Sequence, residues 1–324
     1  MKTVSLAGIS TPASALVLGT MTFGDTVDER GAAELLDVAL EAGITSIDTA
    51  NAYTGGQAEI MLATLLRGRD DVVLATKAGM PHSDLGDDAP LSSAGLRRSL
   101  EGSLTRLGRE SVDLFYLHQP DRRTSLDETM TTIAELVAEG KISAVGVSNY
   151  AAWQISELNF AADRAGAPRP VVAQQLYNLV ARRIEEEYSE FAVESSLHTM
   201  VYNPLGGGLL TGKHRFDEEP TSGRFQGSRL ADMYKQRYWD AQLFEAIAQL
   251  QSIATDAGMP LTELSFRWLQ SKPVVSSILL GGSKTEQLRS NIAALTQDPL
   301  DEALVAACDA VGASLRGPMP NYNR

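Results

Sequence analysis

The sequence predicts a (β/α)8 TIM barrel, and three observations carry the prediction. Eight short apolar runs rich in β-forming residues recur along the chain, most gaps between them hold a helical pattern, and no G-x-G-x-x-G follows an early run. Near-continuous apolar runs suit strands buried on both faces of a parallel sheet, and repeated strand–helix alternation marks an α/β fold. A doubly wound sheet shares that alternation, but the missing glycine fingerprint of its dinucleotide site tilts the choice to the barrel. With no internal repeat and no low-complexity linker, residues 1–324 read as a single domain.

The strands are expected at Ala15–Leu18, Ile44–Ile47, Val72–Ala75, Val112–Leu117, Ile142–Val147, Val171–Gln174, Thr199–Tyr202 and Ser276–Leu280. The first helix spans Asp28–Ala42, with Leu35, Leu36, Ala39 and Leu40 on one face and Gly43 as its stop. Another covers Ser92–Leu107, where Leu96, Leu100, Leu104 and Leu107 share a face ahead of Gly108. Ile133, Leu136 and Val137 repeat the pattern before Gly140. A capping Ser or Asp before such a helix and a glycine after it are the expected punctuation. The connection from Gly206 to Trp239, after the seventh strand, is polar and rich in Gly, Arg and aromatic residues. A loop this long inside a compact fold is usually a lid or binding loop, so it is assigned to the active-site mouth.

Composition removes several function classes. The net charge is −13, from 28 basic and 41 acidic residues, and no basic run exceeds a dipeptide. A surface that tracks phosphates needs clustered Lys and Arg, so nucleic acid is not an expected partner. The single Cys308 fits a reducing compartment, and the opening residues make a poor signal peptide. No stretch approaches the ~18 apolar residues of a membrane span, so a cytoplasmic protein without a membrane partner is expected. His82, His118, His198 and His214 never take a zinc-ligand spacing, so no metal is expected. "GGLLTGKH" (Gly207 to His214) nearly matches a Walker A loop, but His214 stands where a magnesium-binding hydroxyl belongs. There is also no G-x-S-x-G elbow for an acyl-transfer nucleophile.

In a barrel, reactive groups gather at the C-terminal ends of the strands. Reading those ends in order gives Asp48 after "TSI", Lys77 after "VVLAT", His118 after "VDLFYL" and Ser148-Asn149 after "SAVGV", with Tyr53 in the loop beyond Asp48. Each alone has a bland reading: a helix cap, a solvated amine, a core histidine. Together they suit the reduction of a carbonyl, which needs hydride at carbon and a proton at oxygen. A tyrosine of pKa about 10 is a sluggish donor near neutrality. An adjacent ammonium favours the phenolate and lowers that pKa, and an aspartate keeps the ammonium charged and aimed. A histidine on the next strand can then orient the substrate oxygen.

At these residues the chain resembles the aldo-keto reductase superfamily, through "IDTANAY", "LATKAG", "DLFYLHQPD" and "VGVSNY" in the right order, over about Leu18 to Asn291. The resemblance implies Tyr53 as general acid/base, Asp48 and Lys77 as its tuners, His118 as the carbonyl's partner, and an extended NADP(H) as cofactor. Its implied cofactor contacts begin with Gly19, Thr20 and Met21 at the first strand end, where Gly19 allows close backbone approach. Ser148, Asn149 and Gln174 would hydrogen-bond the carboxamide, beside Asp48. Tyr202 would stack on the nicotinamide, within a segment that adds Asn203, Pro204, Leu205, Gly206, Leu209 and Lys213. Gly281, Gly282, Ser283 and Lys284 precede an amphipathic helix whose N-terminus favours a 2′-phosphate, with Gln287 and Asn291 reaching the adenine. Ser283 and Glu286 also spell a capping box.

Two departures from the family pattern stand out. Ser283 stands where the family often has a second basic residue, with Glu286 a negative charge near the proposed phosphate, and "YTGGQAE" replaces Y-G-x-G-x-S-E, with Thr54 and Ala58 changed and Glu59 kept. The "LGGGLLTGK" segment looks like bacterial reductase branches rather than vertebrate aldose and hydroxysteroid ones. The implied substrate is a small aldehyde or ketone, sugar-derived or polyketide-like, met by Phe23, by Arg215, Phe216, Arg224, Phe225, Tyr238 and Trp239, and by the tail "RGPMPNYNR". Two other readings remain at this stage: an NADP(H)-binding regulatory subunit like the potassium-channel β-subunits, and a lyase using Lys77 as a Schiff-base amine.

Overall fold

The computed structural model describes residues 1–221 and 223–317. A short antiparallel ribbon, β1 (Thr3–Val4) with β2 (Ala13–Ser14), precedes the barrel. The barrel strands are β3 (Leu16–Gly19), β4 (Ser46–Asp48), β5 (Val73–Ala78), β6 (Val112–Leu117), β7 (Ile142–Ser148), β8 (Val172–Leu176), β9 (His198–Tyr202) and β10 (Ser277–Leu280). All eight pair in parallel, and β10 closes on β3 through Ile278 and Leu16. This is the expected (β/α)8 barrel.

Helices α1 (Glu29–Glu41), α2 (Gln57–Leu65), α3 (Ser93–Leu107), α4 (Leu126–Ala138), α5 (Ala152–Ala165) and α6 (Tyr188–Glu194) follow the strands in turn. Then come α7 (Ala231–Tyr238), α8 (Ala241–Asp256), α9 (Leu261–Gln270), α10 (Thr285–Ala294) and α11 (Glu302–Ser314). The local chemistry explains their ends. The side chains of Asp28, Ser92 and Ser125 accept the free backbone N–H groups of Gly31, Gly95 and Glu128, and Gly108 ends α3 in the left-handed region at φ 61°.

Strand alternation builds two cores. Val17, Val73, Ala75, Leu114, Tyr116, Ala144, Val172 and Met200 fill the barrel interior, joined by Leu6 and Ala13 from the ribbon. Leu18, Ile47, Leu74, Phe115, Val145, Ala173 and Val201 face the helices. Because side chains alternate with period two, an inward Val73 and Ala75 force the next residue but one, Lys77, inward as well. Two inward glycines make room for large neighbours. A Cβ on Gly19 would sit 2.4 Å from Leu279 Cδ2, and one on Gly146 would sit 2.6 Å from the Tyr116 ring.

The connection from Gly206 to Trp239 is less of a loop than its composition implies. It contains a 3₁₀ turn at Gly206–Thr211, another at Gly223–Phe225, and helix α7. Phe225 is fully buried and meets His214, Trp239 and Tyr234 edge-on at 5.2, 5.2 and 6.2 Å. The segment thus carries a small aromatic core of its own. Asp25, in the loop after β3, accepts from the Ser228 hydroxyl at 2.8 Å and holds this segment across the mouth. Of the C-terminal tail, residues 318–324 lie outside the described residues. Among the described residues no helix is long and apolar enough to cross a membrane.

Candidate active site

Four strand ends converge at the C-terminal mouth. Asp48 closes β4, and Lys77 lies within β5, inside a strand that runs three residues further than its apolar run suggests. His118 follows β6, and Ser148 ends β7. Lys77 Nζ donates to Asp48 Oδ1, to the Thr49 carbonyl at 2.7 Å, and to the Tyr53 hydroxyl at 3.3 Å. Gln174 Nε2 donates to the second Asp48 oxygen at 2.9 Å. The ammonium and the carboxylate are 0% and 1% exposed, so each depends on the other for its charge.

Tyr53 starts a 3₁₀ turn, Tyr53–Gly56, whose Thr54, Gly55 and Gly56 all take positive φ, at 52°, 63° and 90°. This explains why a glycine suits position 54 in the family pattern. A β-branched residue is strained there, and the Thr54 hydroxyl offsets part of the strain by donating to the Phe23 carbonyl at 3.0 Å. The His118 ring stands edge-on to Tyr53, with centroids 5.9 Å apart. Lys77, Tyr53 and His118 therefore share one small volume, as their joint placement in the sequence implies.

Electrostatics correct one expectation. The Tyr53 phenol is not lowered in this arrangement; burial first, then the Asp48 carboxylate, push it well above the ordinary value. Asp48 also grips the same ammonium, so Lys77 reaches Tyr53 with part of its field offset and does not outweigh burial. Burial likewise pushes the Asp48 carboxyl up and the Lys77 ammonium down, and their mutual attraction opposes both shifts. His118 is held well below the usual imidazole range by burial and by Lys77, so it is neutral. Its Nδ1 is enclosed without a partner. A buried N–H with no acceptor is the costlier orphan, which favours the tautomer that keeps its hydrogen on Nε2.

The residues implied for a nicotinamide cofactor fall into three groups. Ser148, Asn149, Gln174 and Tyr202 do come together, but their polar atoms are turned on one another. The Ser148 hydroxyl donates to the Gln174 carbonyl at 3.0 Å, Asn149 Nδ2 to the Ser148 hydroxyl at 3.1 Å, and the Tyr202 hydroxyl to Asn149 Oδ1 at 2.7 Å. Asn203 Nδ2 donates to the Tyr238 hydroxyl at 2.8 Å, Pro204, Gly206 and Leu209 are buried, and Leu205 is partly exposed. Lys213 is exposed.

At the first strand end the expectation for Gly19 changes. Its missing side chain faces the end of the Leu279 side chain, so strand packing also favours the glycine. Thr20 is buried with its hydroxyl on the Asp48 carbonyl at 3.0 Å, while Met21 is partly exposed. Beyond β10, a Cβ on Gly281 would meet nothing within 4 Å, so a cradle is open there. Lys284 is the N-cap of α10, exposed, with no carboxylate on its ammonium among the described residues. The capping box of Ser283 with Glu286 does not form. Gln287 Oε1 accepts from both the Ser283 N–H and hydroxyl at 3.3 Å, which occupies the side chain expected to reach the adenine. Gly282 accepts from the Thr22 hydroxyl at 3.2 Å, and Asn291 is buried. The open cradle and the free ammonium at a helix start fit an anionic end of such a cofactor.

Sequence reasoning missed Tyr116, and it missed the roles of Tyr238 and Glu59, which it had named. Tyr116, fully buried inside the barrel, lies with its ring 5.5 Å from Lys77 Nζ; its signal was the inward phase of "VDLFYL". Tyr238 joins the 206–239 segment to Asn178 and Asn203 rather than facing substrate. Glu59, fully buried, accepts from the Thr76 hydroxyl at 2.6 Å and Arg106 Nε at 2.7 Å. Its retention in "YTGGQAE" was visible, but its partners are distant in sequence.

Comparison with known proteins agrees with the barrel fold. The human aflatoxin B1 aldehyde reductase member 2 is 37% identical over 97% of this chain and 90% of its own length. A probable voltage-gated potassium channel subunit beta from rice is 32% identical over 86% of each chain. The solved structure of a glycerol dehydrogenase from Gluconobacter oxydans superposes with a TM-score of 0.78 at 26% identity, covering 99% of this chain and 98% of that one. Residues 15–313 match the aldo/keto reductase family. With its mouth built on Asp48, Tyr53, Lys77 and His118, this chain belongs to the aldo/keto reductase family, an oxidoreductase family whose members use a nicotinamide cofactor.

Proposed function

We propose that the chain reduces a small aldehyde or ketone with NADPH, Tyr53 giving the proton. The observation that carries the reading is the Tyr53 hydroxyl 3.3 Å from an ammonium that Asp48 keeps charged in a buried mouth. When bound, the cofactor supplies the hydride for the carbonyl carbon. Tyr53 holds its proton across neutral pH and donates it to the carbonyl oxygen. Lys77, aimed by Asp48 and the Thr49 carbonyl, stabilises the phenolate left behind. Neutral His118 offers an N–H to the same oxygen and orients it, but supplies no net proton. Lys77 is committed to three acceptors inside the barrel, which argues against a Schiff-base role that needs a free amine.

Gly281, Gly282, Ser283 and Lys284 would hold the 2′-phosphate, and Ser148, Asn149, Gln174 and Tyr202 the nicotinamide end, with their present mutual hydrogen bonds keeping them in place. The human relative is named for an aldehyde and the Gluconobacter protein for glycerol, which supports small carbonyl and polyol-derived substrates. The rice relative supports a second reading, an NADP(H)-binding regulatory subunit with little turnover.

Oxidation of NADPH and NADH, followed by absorbance with a panel of aldehydes, ketones and keto sugars, separates these readings. Rapid oxidation with one substrate class is expected; tight NADPH binding with negligible turnover on every carbonyl would favour the regulatory subunit. In the same assay Tyr53→Phe should abolish reduction and leave NADPH binding intact. Lys284→Ala should weaken NADPH far more than NADH, and equal weakening of both would remove Lys284 from the phosphate.

A further inference from the structure

We propose that Arg106 is a positioning residue for Tyr53: it clamps the turn that carries the phenol to β5 through a chain running Thr76, Glu59, Arg106, Asp84. The inference rests on the role given to Tyr53 above. The turn needs an external clamp, because β-branched Thr54 sits in the left-handed region at φ 52° and is followed by two glycines that constrain the chain little. Such conformations persist only where the surroundings over-determine them.

Arg106, on α3, supplies that constraint. Its Nε donates to the fully buried Glu59 in the first turn of α2 at 2.7 Å. Its two terminal nitrogens fork onto Asp84 at 3.1 and 2.8 Å, and His82 Nδ1 stands 3.0 Å from the same carboxylate. The stem lies flat on the turn itself: a Cβ on Gly56 would sit 2.7 Å from Arg106 Cδ and 2.8 Å from Nε. The other end of the chain is Thr76, whose hydroxyl donates to Glu59 at 2.6 Å. Thr76 points out of the barrel and its neighbour Lys77 points in. One stretch of β5 therefore fixes both the ammonium and, through Glu59 and Arg106, the turn that presents the phenol to it. Arg106 touches neither group of the reacting pair, so it acts through their spacing.

Two variants test this beside cement between α2 and α3. Arg106→Lys keeps a charge near Glu59 but cannot fork to two carboxylates. Asp84→Asn removes the anchoring charge at a side chain 17% exposed, where folding is less at risk. At a temperature where each variant is folded, kcat should fall about ten- to hundredfold, the scale of a 1 Å misplacement. The NADPH dissociation constant should stay within about twofold, since its contacts lie elsewhere in the mouth. A lower Tm with unchanged kcat would overturn the proposal, as would parallel loss of kcat and NADPH binding. If Arg106→Lys does not fold, the Asp84→Asn result decides. Tyr53→Phe in the same assay separates the two levels: full activity there sinks the assigned role of Tyr53 and this inference with it. An inactive Tyr53→Phe beside fully active Arg106→Lys and Asp84→Asn sinks this inference alone.

Discussion

Replacing Lys77 with methionine removes the ammonium while keeping a chain of similar length in a fully buried position. The structure sets the size of the effect. A unit charge 3.3 Å from the phenolate oxygen contributes about 5 kcal/mol at an effective dielectric constant of about 20. That value is a ceiling, because Asp48 is bonded to the same ammonium and offsets part of its field. It corresponds to a fall in kcat of up to about 10⁴-fold, and a fall of 10²- to 10³-fold is expected once the offset is included. Stability falls too, since Asp48 keeps only Gln174 as a partner. Removing one member of a buried pair costs about 3–5 kcal/mol, limited here because burial already pushes the Asp48 carboxyl towards its neutral form. Single-turnover NADPH oxidation at saturating cofactor, with binding followed by protein fluorescence, measures the two effects separately. If Lys77→Met binds NADPH normally and retains kcat within about tenfold of the parent, the ammonium does not stabilise the phenolate and the reasoning fails.

Two further outcomes follow from the same geometry. Because Tyr53 is raised by burial and then by Asp48, its protonated form persists above the ordinary value near 10, so reduction should be flat from about pH 6 to 9 and alcohol oxidation should climb steadily over that range. His118 is depressed below the ordinary imidazole value near 6.5, so no break should appear there, and a reduction profile with a midpoint near 7 would contradict both assignments. Gly19→Ala should destabilise by about 1–3 kcal/mol through the 2.4 Å approach to Leu279, and adding Leu279→Ala should restore stability and NADPH affinity. Persistent loss of affinity in the double variant would return Gly19 to the cofactor site.

The barrel was legible because its signal is periodic and local: apolar runs bounded by Asp28, Ser92 and Gly108 mark strands and helices without knowledge of their neighbours. The polar strand ends were legible for the same reason, since Asp48, Lys77 and His118 each interrupt an apolar run. What stayed hidden was pairing across the chain. Nothing local in "SLTRL" says that Arg106 reaches Glu59 and Asp84, and nothing in "LVLG" says that Gly19 leaves room for Leu279 on the last strand. Helix α7 was obscured by a polar composition with only Tyr234 and Tyr238 buried, which lacks the apolar stripe that betrays a core helix. The direction of the Tyr53 shift was misjudged because burial outweighs the ammonium, whose field Asp48 partly offsets.

That last point bears on the protonation state of the site. Asp48 does two opposed things to Tyr53: it keeps Lys77 charged, without which burial would favour a neutral amine, and it repels the phenolate. Burial and the second effect prevail, so the phenol keeps its proton. Since Gln174 also holds the second oxygen of Asp48, the carboxylate cannot swing away to release the field of the ammonium without breaking a 2.9 Å bond inside the barrel. The residues around Tyr53 thus hold its proton in place on grounds independent of which carbonyl enters.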